Sequence, residues 1–127
     1  MKFTILGQPI TKKNSQMIIM AGKRPCIIQS KAYRVYEKMA RQQFALARWE
    51  VSPEWPIETP IRVTCIYWLA TSRRPDLTNL LAASHDVLEH CGVIVNDSLI
   101  HSVDGSRIAG VDKLNPRVEV EIVEFTG

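Results

Sequence analysis

The run Ile61-Arg62-Val63-Thr64-Cys65-Ile66-Tyr67-Trp68-Leu69 carries an apolar side chain at every odd position. Successive side chains of a strand point to opposite faces, so Arg62 and Thr64 read as the polar second face of a half-buried strand. From Ile66 onward both faces are hydrophobic, which predicts a central place in a sheet. Beyond the strand, Asp76 reads as the N-cap of a helix with Leu77, Leu80, Leu81, Val87, Leu88 and Cys91 on its core face. Gly92 is suited to the position just past its C-terminus. Val93–Val95, Leu99–Val103 and Val118–Val123 are further strand candidates, and in the last of them Val118, Val120 and Ile122 alternate with Glu119 and Glu121.

On the N-terminal side, Pro53 to Pro60 holds three prolines and is a connection rather than the interior of an element. Before it, Ser30 reads as the N-cap of a helix running to about Arg48, with Tyr33, Tyr36, Ala40, Phe44 and Ala47 as its core stripe. Lys31, Arg34, Lys38, Arg41 and Arg48 fall on a different face, which reads either as an ordinary solvated surface or as a place for an anionic partner. Met17–Met20 and Pro25–Ile28 flank Ala21-Gly22-Lys23-Arg24, a hairpin pattern, and Lys2–Leu6 is a short strand. Between them, Gln8 to Gln16 is a polar, basic loop containing Lys12, Lys13 and Asn14. Strands and helices that alternate without a regular β-α-β period predict an α+β fold. The expected architecture is a small mixed or largely antiparallel sheet with two main helices, in a single domain spanning residues 1–127.

With 46% hydrophobic and 23% charged residues, the 127-residue chain has enough apolar side chains for one core, which excludes a disordered or collagen-like polypeptide. Its longest apolar runs, Met17–Ala21 and Cys65–Ala70, fall far short of the roughly 18 residues a membrane helix needs. The N-terminus lacks the pattern of a signal peptide, so a cytoplasmic location and no membrane partner are expected. Cys26, Cys65 and Cys91 are odd in number and widely spaced, which argues for buried thiols rather than a disulfide framework or a zinc knuckle. The net charge of +3 permits a nucleic-acid partner without announcing one.

The chemistry-bearing residues concentrate around the second helix. Arg73-Arg74-Pro75-Asp76-Leu77-Thr78-Asn79-Leu80 places a basic pair and a carboxylate at a strand-to-helix junction. Asp86 follows on the helix, and Asn96-Asp97 supplies another carboxylate after the chain has turned back. Magnesium prefers carboxylate oxygens and water, and ligands from separate elements could hold it beside a phosphate. The same residues also read structurally, because Asp after Pro is a common N-cap and Asn-Asp-Ser a common turn. At about 100° per residue, Asp76, Asn79, Ala83, Asp86 and His90 share one stripe beside the apolar face, and half-buried carboxylates there need a metal or an arginine. His85 and His90 are five residues apart, on different faces, so a zinc site is not expected. Trp49, Trp55 and Trp68 read as core or dimer contacts.

Over nearly its whole length the chain resembles the RusA family of Holliday-junction resolvases. The resemblance rests on Pro9–Ser15 in the first loop, Ser30-Lys31-Ala32-Tyr33, Arg74-Pro75-Asp76-Leu77-Thr78-Asn79-Leu80, Asp86-Val87-Leu88 and Gly92-Val93-Ile94-Val95-Asn96-Asp97, in that order. It implies a magnesium-dependent endonuclease that acts as a homodimer on branched DNA such as four-way junctions, encoded by a bacterium or prophage. Asp76 and Asp97 would be metal ligands and Asp86 a third acidic residue of the catalytic cluster. Lys12, Lys13, Asn14, Arg73 and Arg74 would contact DNA. Three departures stand out: Thr78 replaces the second aspartate of the family motif, Ala82 stands where some members carry a lysine, and Asn96 replaces the first of two closing aspartates. Thr78 in particular leaves a second reading, a DNA-binding member of the family with weakened or lost nuclease activity.

Overall fold

Every odd residue of Ile61–Leu69 is buried and every even one is half-buried, and this strand, β4, is the middle of the sheet. The computed structural model describes residues 1–11, 16–29, 31–51, 54–73 and 75–126. The elements in chain order are β1 (Lys2–Leu6), β2 (Gln16–Ala21), β3 (Arg24–Gln29), α1 (Lys31–Val51), β4, α2 (Leu77–His90), β5 (Ile100–Ser102), β6 (Arg107–Val111) and β7 (Arg117–Glu124). The strands of the main sheet lie in the order β1-β7-β4-β5, with β6 also on β4. β1, β7 and β4 are antiparallel neighbours, whereas β5 pairs parallel with the start of β4 and β6 parallel with its end. Two short strands thus share one edge. A parallel neighbour needs a crossover, and α2 provides it. The fold is α+β with a mixed, mostly antiparallel sheet, as the sequence predicts.

β2 and β3 form the expected hairpin, with Ala21 paired to Arg24 across a turn in which Gly22 takes φ +67°, a conformation that favours glycine. Lys12, Lys13, Asn14, the predicted cap Ser30 and Arg74 lie outside the described residues, as do the side chains of Cys26 and Trp49. Val93–Val95 departs from its expected strand: it makes one bridge, Ile57 to Ile94, because its buried Val93 and Ile94 finish the end of α2 instead of extending a ladder. The predicted strand Leu99–Val103 shortens to Ile100–Ser102, since Asp97–Leu99 winds into a 3-10 turn. β6 escaped the sequence reading, because Arg-Ile-Ala-Gly-Val has a glycine and little alternation; Gly110 lies beneath Trp68, whose ring an added Cβ would meet at 3.5 Å.

Both helices cover the sheet face that carries the odd residues of β4. Tyr36, Ala40 and Phe44 of α1 and Leu80, Val87 and Leu88 of α2 join Ile5, Val118, Val120 and Ile122 in one core. Phe3, Phe44 and Trp55 meet edge to face with centroids 5.0 to 6.1 Å apart, so Trp55 is a core residue. Tyr67 Oη and Ser84 Oγ, both buried, are hydrogen-bonded at 2.8 Å and tie β4 to α2. Burial pushes the Cys65 thiol up to about 12, which keeps it protonated and inert. Leu88→Ala would open a cavity under the end of α2 where the side chain is fully buried, at a cost of about 2–5 kcal/mol. Urea unfolding should register this as a lower midpoint with an unchanged slope. A midpoint equal to the wild type would show that the end of α2 does not contribute to the cooperative core.

Candidate metal centre

Asp76 occupies the N-cap of α2 with extended backbone angles, and its carbonyl accepts the first helical hydrogen bond, from Leu80 N–H at 3.1 Å. Its carboxylate makes no capping bond; it accepts instead a long contact from Asn79 Nδ2 at 3.5 Å. Thr78 and Arg73 are exposed nearby. At the opposite end of the helix, Asp86 and Glu89 are three residues apart and therefore on one face.

What brings a third carboxylate back to that face is the C-terminus of α2. Cys91 N–H bonds Val87 O at 2.9 Å, Gly92 N–H bonds Glu89 O at 3.1 Å and Val93 N–H bonds Leu88 O at 2.9 Å, with Gly92 at φ +78°. These are the bonds of a Schellman motif, and the fully buried Val93 and Leu88 supply its hydrophobic contact. The returning chain is then clamped to Ile57 by two backbone bonds, Ile57 N–H to Val93 O and Val95 N–H to Ile57 O. Asn96 Oδ1 accepts Ser98 N–H at 2.8 Å and so caps the 3-10 turn that starts with Asp97. Asp97 N–H in turn donates to Glu89 Oε1 at 3.3 Å. Asn96, one of the departures from the RusA pattern, thus has a local role as the side-chain cap of this turn.

One carboxylate oxygen each of Asp86, Glu89 and Asp97 lies within 4.8 Å of the others; the first two residues are half-buried and Asp97 is exposed. Among the described residues neither Glu89 nor Asp97 has a lysine or arginine within salt-bridge distance; the ion pairs there fall on Glu37, Asp112, Glu119 and Glu121. Three carboxylates this close repel one another unless a cation lies between them. The donor set is all oxygen and drawn from two elements, which fits a hard divalent ion such as magnesium. His85 lies beside it: burial lowers its pKa, while the Asp97 and Asp86 charges pull it back up. Its Nε2 is buried without a hydrogen-bond partner among the described residues.

Of the residues predicted from sequence, Asp86 and Asp97 come together. Glu89 was missed, although its Asp86-x-x-Glu89 spacing on a helix was legible. Asp76 stays apart. Ten residues of α2 separate it from Asp86, about 15 Å of helix rise, whereas the ligand oxygens of one magnesium ion sit about 2 Å from the metal. Within one chain a single ion cannot take ligands from both ends. Asp76→Asn, which retains a good N-cap residue, should therefore leave the magnesium affinity of the Asp86/Glu89/Asp97 group unchanged in a calorimetric titration. A loss of tenfold or more would put Asp76 on that ion.

The family model for endodeoxyribonuclease RusA matches residues 7–123. The chain belongs to the RusA endodeoxyribonuclease family. No curated protein matches it. The RusA match begins just after β1, runs to the penultimate residue of β7 and includes both ends of α2, so the acidic group lies inside the family domain. Asp76 to Leu80, within the motif that carries the strongest sequence resemblance, form the N-cap and first residues of α2, while the carboxylates that converge in space lie at its end. No helix among the described residues is long and apolar enough to cross a membrane.

Proposed function

We propose that this protein is a magnesium-dependent structure-specific endodeoxyribonuclease that resolves four-way junctions or related branched DNA in recombination and repair. The observation that carries this reading is the convergence of Asp86, Glu89 and Asp97 within a RusA-family domain. Asp86 and Glu89 would hold the ion from the helix, and Asp97 would close the set from the 3-10 turn. When bound, magnesium would neutralise charge developing on the scissile phosphate and lower the pKa of an attacking water. Three carboxylates would leave room on a magnesium ion for that water and a phosphate oxygen, since magnesium usually keeps several waters. The hydrolysis adds the water oxygen to phosphorus and breaks one P–O ester bond.

Asp76, at the other end of α2, is proposed to act on the substrate side of this arrangement, together with Arg73 and Arg74. Those two arginines and Lys12, Lys13 and Asn14 are proposed phosphate contacts, which position DNA without reading its sequence. A single domain over residues 1–127 in the cytoplasm of a bacterium, on a host or prophage gene, suits such an enzyme. Two copies related by a two-fold axis would present paired sites to the symmetric strands of a junction.

Thr78 supports the rival reading, a junction-binding protein without cleavage, since no carboxylate stands at that position. A labelled synthetic four-way junction incubated with the protein, with magnesium or with a chelator, separates the readings. Cleavage only with magnesium supports the nuclease; salt-sensitive binding without cleavage supports the rival; neither would overturn both.

A further inference from the structure

α1 is rolled in a fixed way on the core. With Tyr33, Tyr36, Ala40 and Phe44 buried, two contacts identify its flanks. Gln43 Oε1 accepts Leu6 N–H of β1 at 2.9 Å on one side. On the other, Glu37 Oε1 meets His90 Nδ1 at the end of α2 at 3.2 Å and Arg41 at 3.4 Å. At 3.6 residues per turn, Arg34, Lys38, Arg41, Arg48 and Lys31 all fall within roughly 80° to 180° of Ala40 on the Glu37 side. The opposite flank carries Ala32, Val35, Met39, Gln42, Leu46 and Glu50, and no cation. An ordinary solvated helix surface would mix its charges over both flanks, and here every cation lies between the Glu37 flank, which meets α2 through His90, and the outward face.

Lys31, Arg34, Lys38 and Arg41 are exposed. Among the described residues, no carboxylate lies within salt-bridge distance of Lys31, Arg34 or Lys38, and Arg41 shares Glu37 with His90. Along the helix the four extend over about 15 Å, the rise of roughly four base pairs of duplex. The near end of the stripe adjoins the acidic centre, because His90 follows Glu89 directly and lies one turn beyond Asp86. Tyr33 links the same two regions, its pKa raised by burial and further by the charges of Glu37 and Asp86.

We propose that Lys31, Arg34, Lys38 and Arg41 form a track for the phosphates of a DNA duplex arm, leading the backbone past the end of α2 to the Asp86/Glu89/Asp97 centre. The occupant is a nucleic-acid backbone, because a line of flexible cations beside an acidic metal centre complements alternating phosphate and metal-bound oxygen rather than an acidic protein surface. This inference rests on the nuclease reading of that centre.

Equilibrium binding of a four-way junction, in chelator so that no cleavage occurs, tests it over a range of salt concentrations. Each phosphate contact contributes about 0.9 to the slope of log affinity against log salt. Arg34→Gln, Lys38→Gln and Arg41→Gln should each reduce the slope by about that amount, and the triple variant should bind more than tenfold more weakly at about 0.15 M salt. Lys113→Gln, on the turn between β6 and β7, removes the same charge away from the track and should leave the slope unchanged. If the wild type binds and the track variants match it, or if Lys113→Gln lowers the slope equally, the track is overturned while the nuclease reading stands. If the wild type shows no salt-dependent binding, both fall. Circular dichroism of each variant checks that α1 is intact.

Discussion

Asp97→Asn is expected to lower magnesium-dependent cleavage of a four-way junction by about a thousandfold, roughly 4 kcal/mol of transition-state stabilisation. The effect is large because Asp97 is the only member of the acidic group that α2 does not carry, so without it the ion would be held from one side. The substitution is nearly isosteric. It leaves untouched the two bonds that position the turn, Ser98 N–H to Asn96 Oδ1 and Asp97 N–H to Glu89 Oε1, the latter made by the backbone. Asp97 is also exposed, so replacing it perturbs little packing. Single-turnover cleavage, together with calorimetric titration of magnesium in the absence of DNA, checks both halves of the expectation. A rate within about threefold of the wild type would remove Asp97 from the centre.

The sequence made the scaffold legible where one physical signal dominated. β4 has strict alternation, and α2 has a proline and aspartate before it, a glycine after it and an uninterrupted apolar stripe. Each of those features is local. β6 was illegible because its position depends on β4, which pairs with it in parallel at long range, rather than on any pattern of its own. Val93–Val95 has the composition of a strand, but a Schellman turn claims Val93 for the end of α2 and leaves only one bridge.

The site was legible in the same uneven way. Asp86 could be named from the helix stripe and Asp97 from the resemblance to the RusA family. Their convergence depends on how tightly the chain reverses at Gly92, which sequence spacing does not give. Glu89 lies outside the strongest motif, whose Asp76 is about 15 Å of helix rise from Asp86, so the motif carried no pointer to it.

Glu89 and Thr78 can therefore be tested against each other. Glu89→Ala removes a carboxylate from the group and the acceptor that ties Asp97 N–H to α2, and the magnesium midpoint of cleavage should rise about a hundredfold, the upper end of what losing a supporting partner alone costs. Glu89→Gln keeps an acceptor oxygen for Asp97 N–H while losing the charge. If it behaves like Ala, Glu89 acts on the ion; if it behaves like the wild type, Glu89 acts only by holding the turn. Thr78→Asp restores the aspartate of the family motif, yet residue 78 lies eight positions before Asp86, about 12 Å of helix rise away, and is exposed in the first turn. Its added charge falls outside the reach of an ion held by Asp86, so the magnesium midpoint should stay where it is. A midpoint lowered tenfold by Thr78→Asp and untouched by Glu89→Ala would move the metal to the N-terminal end of α2, beside Asp76.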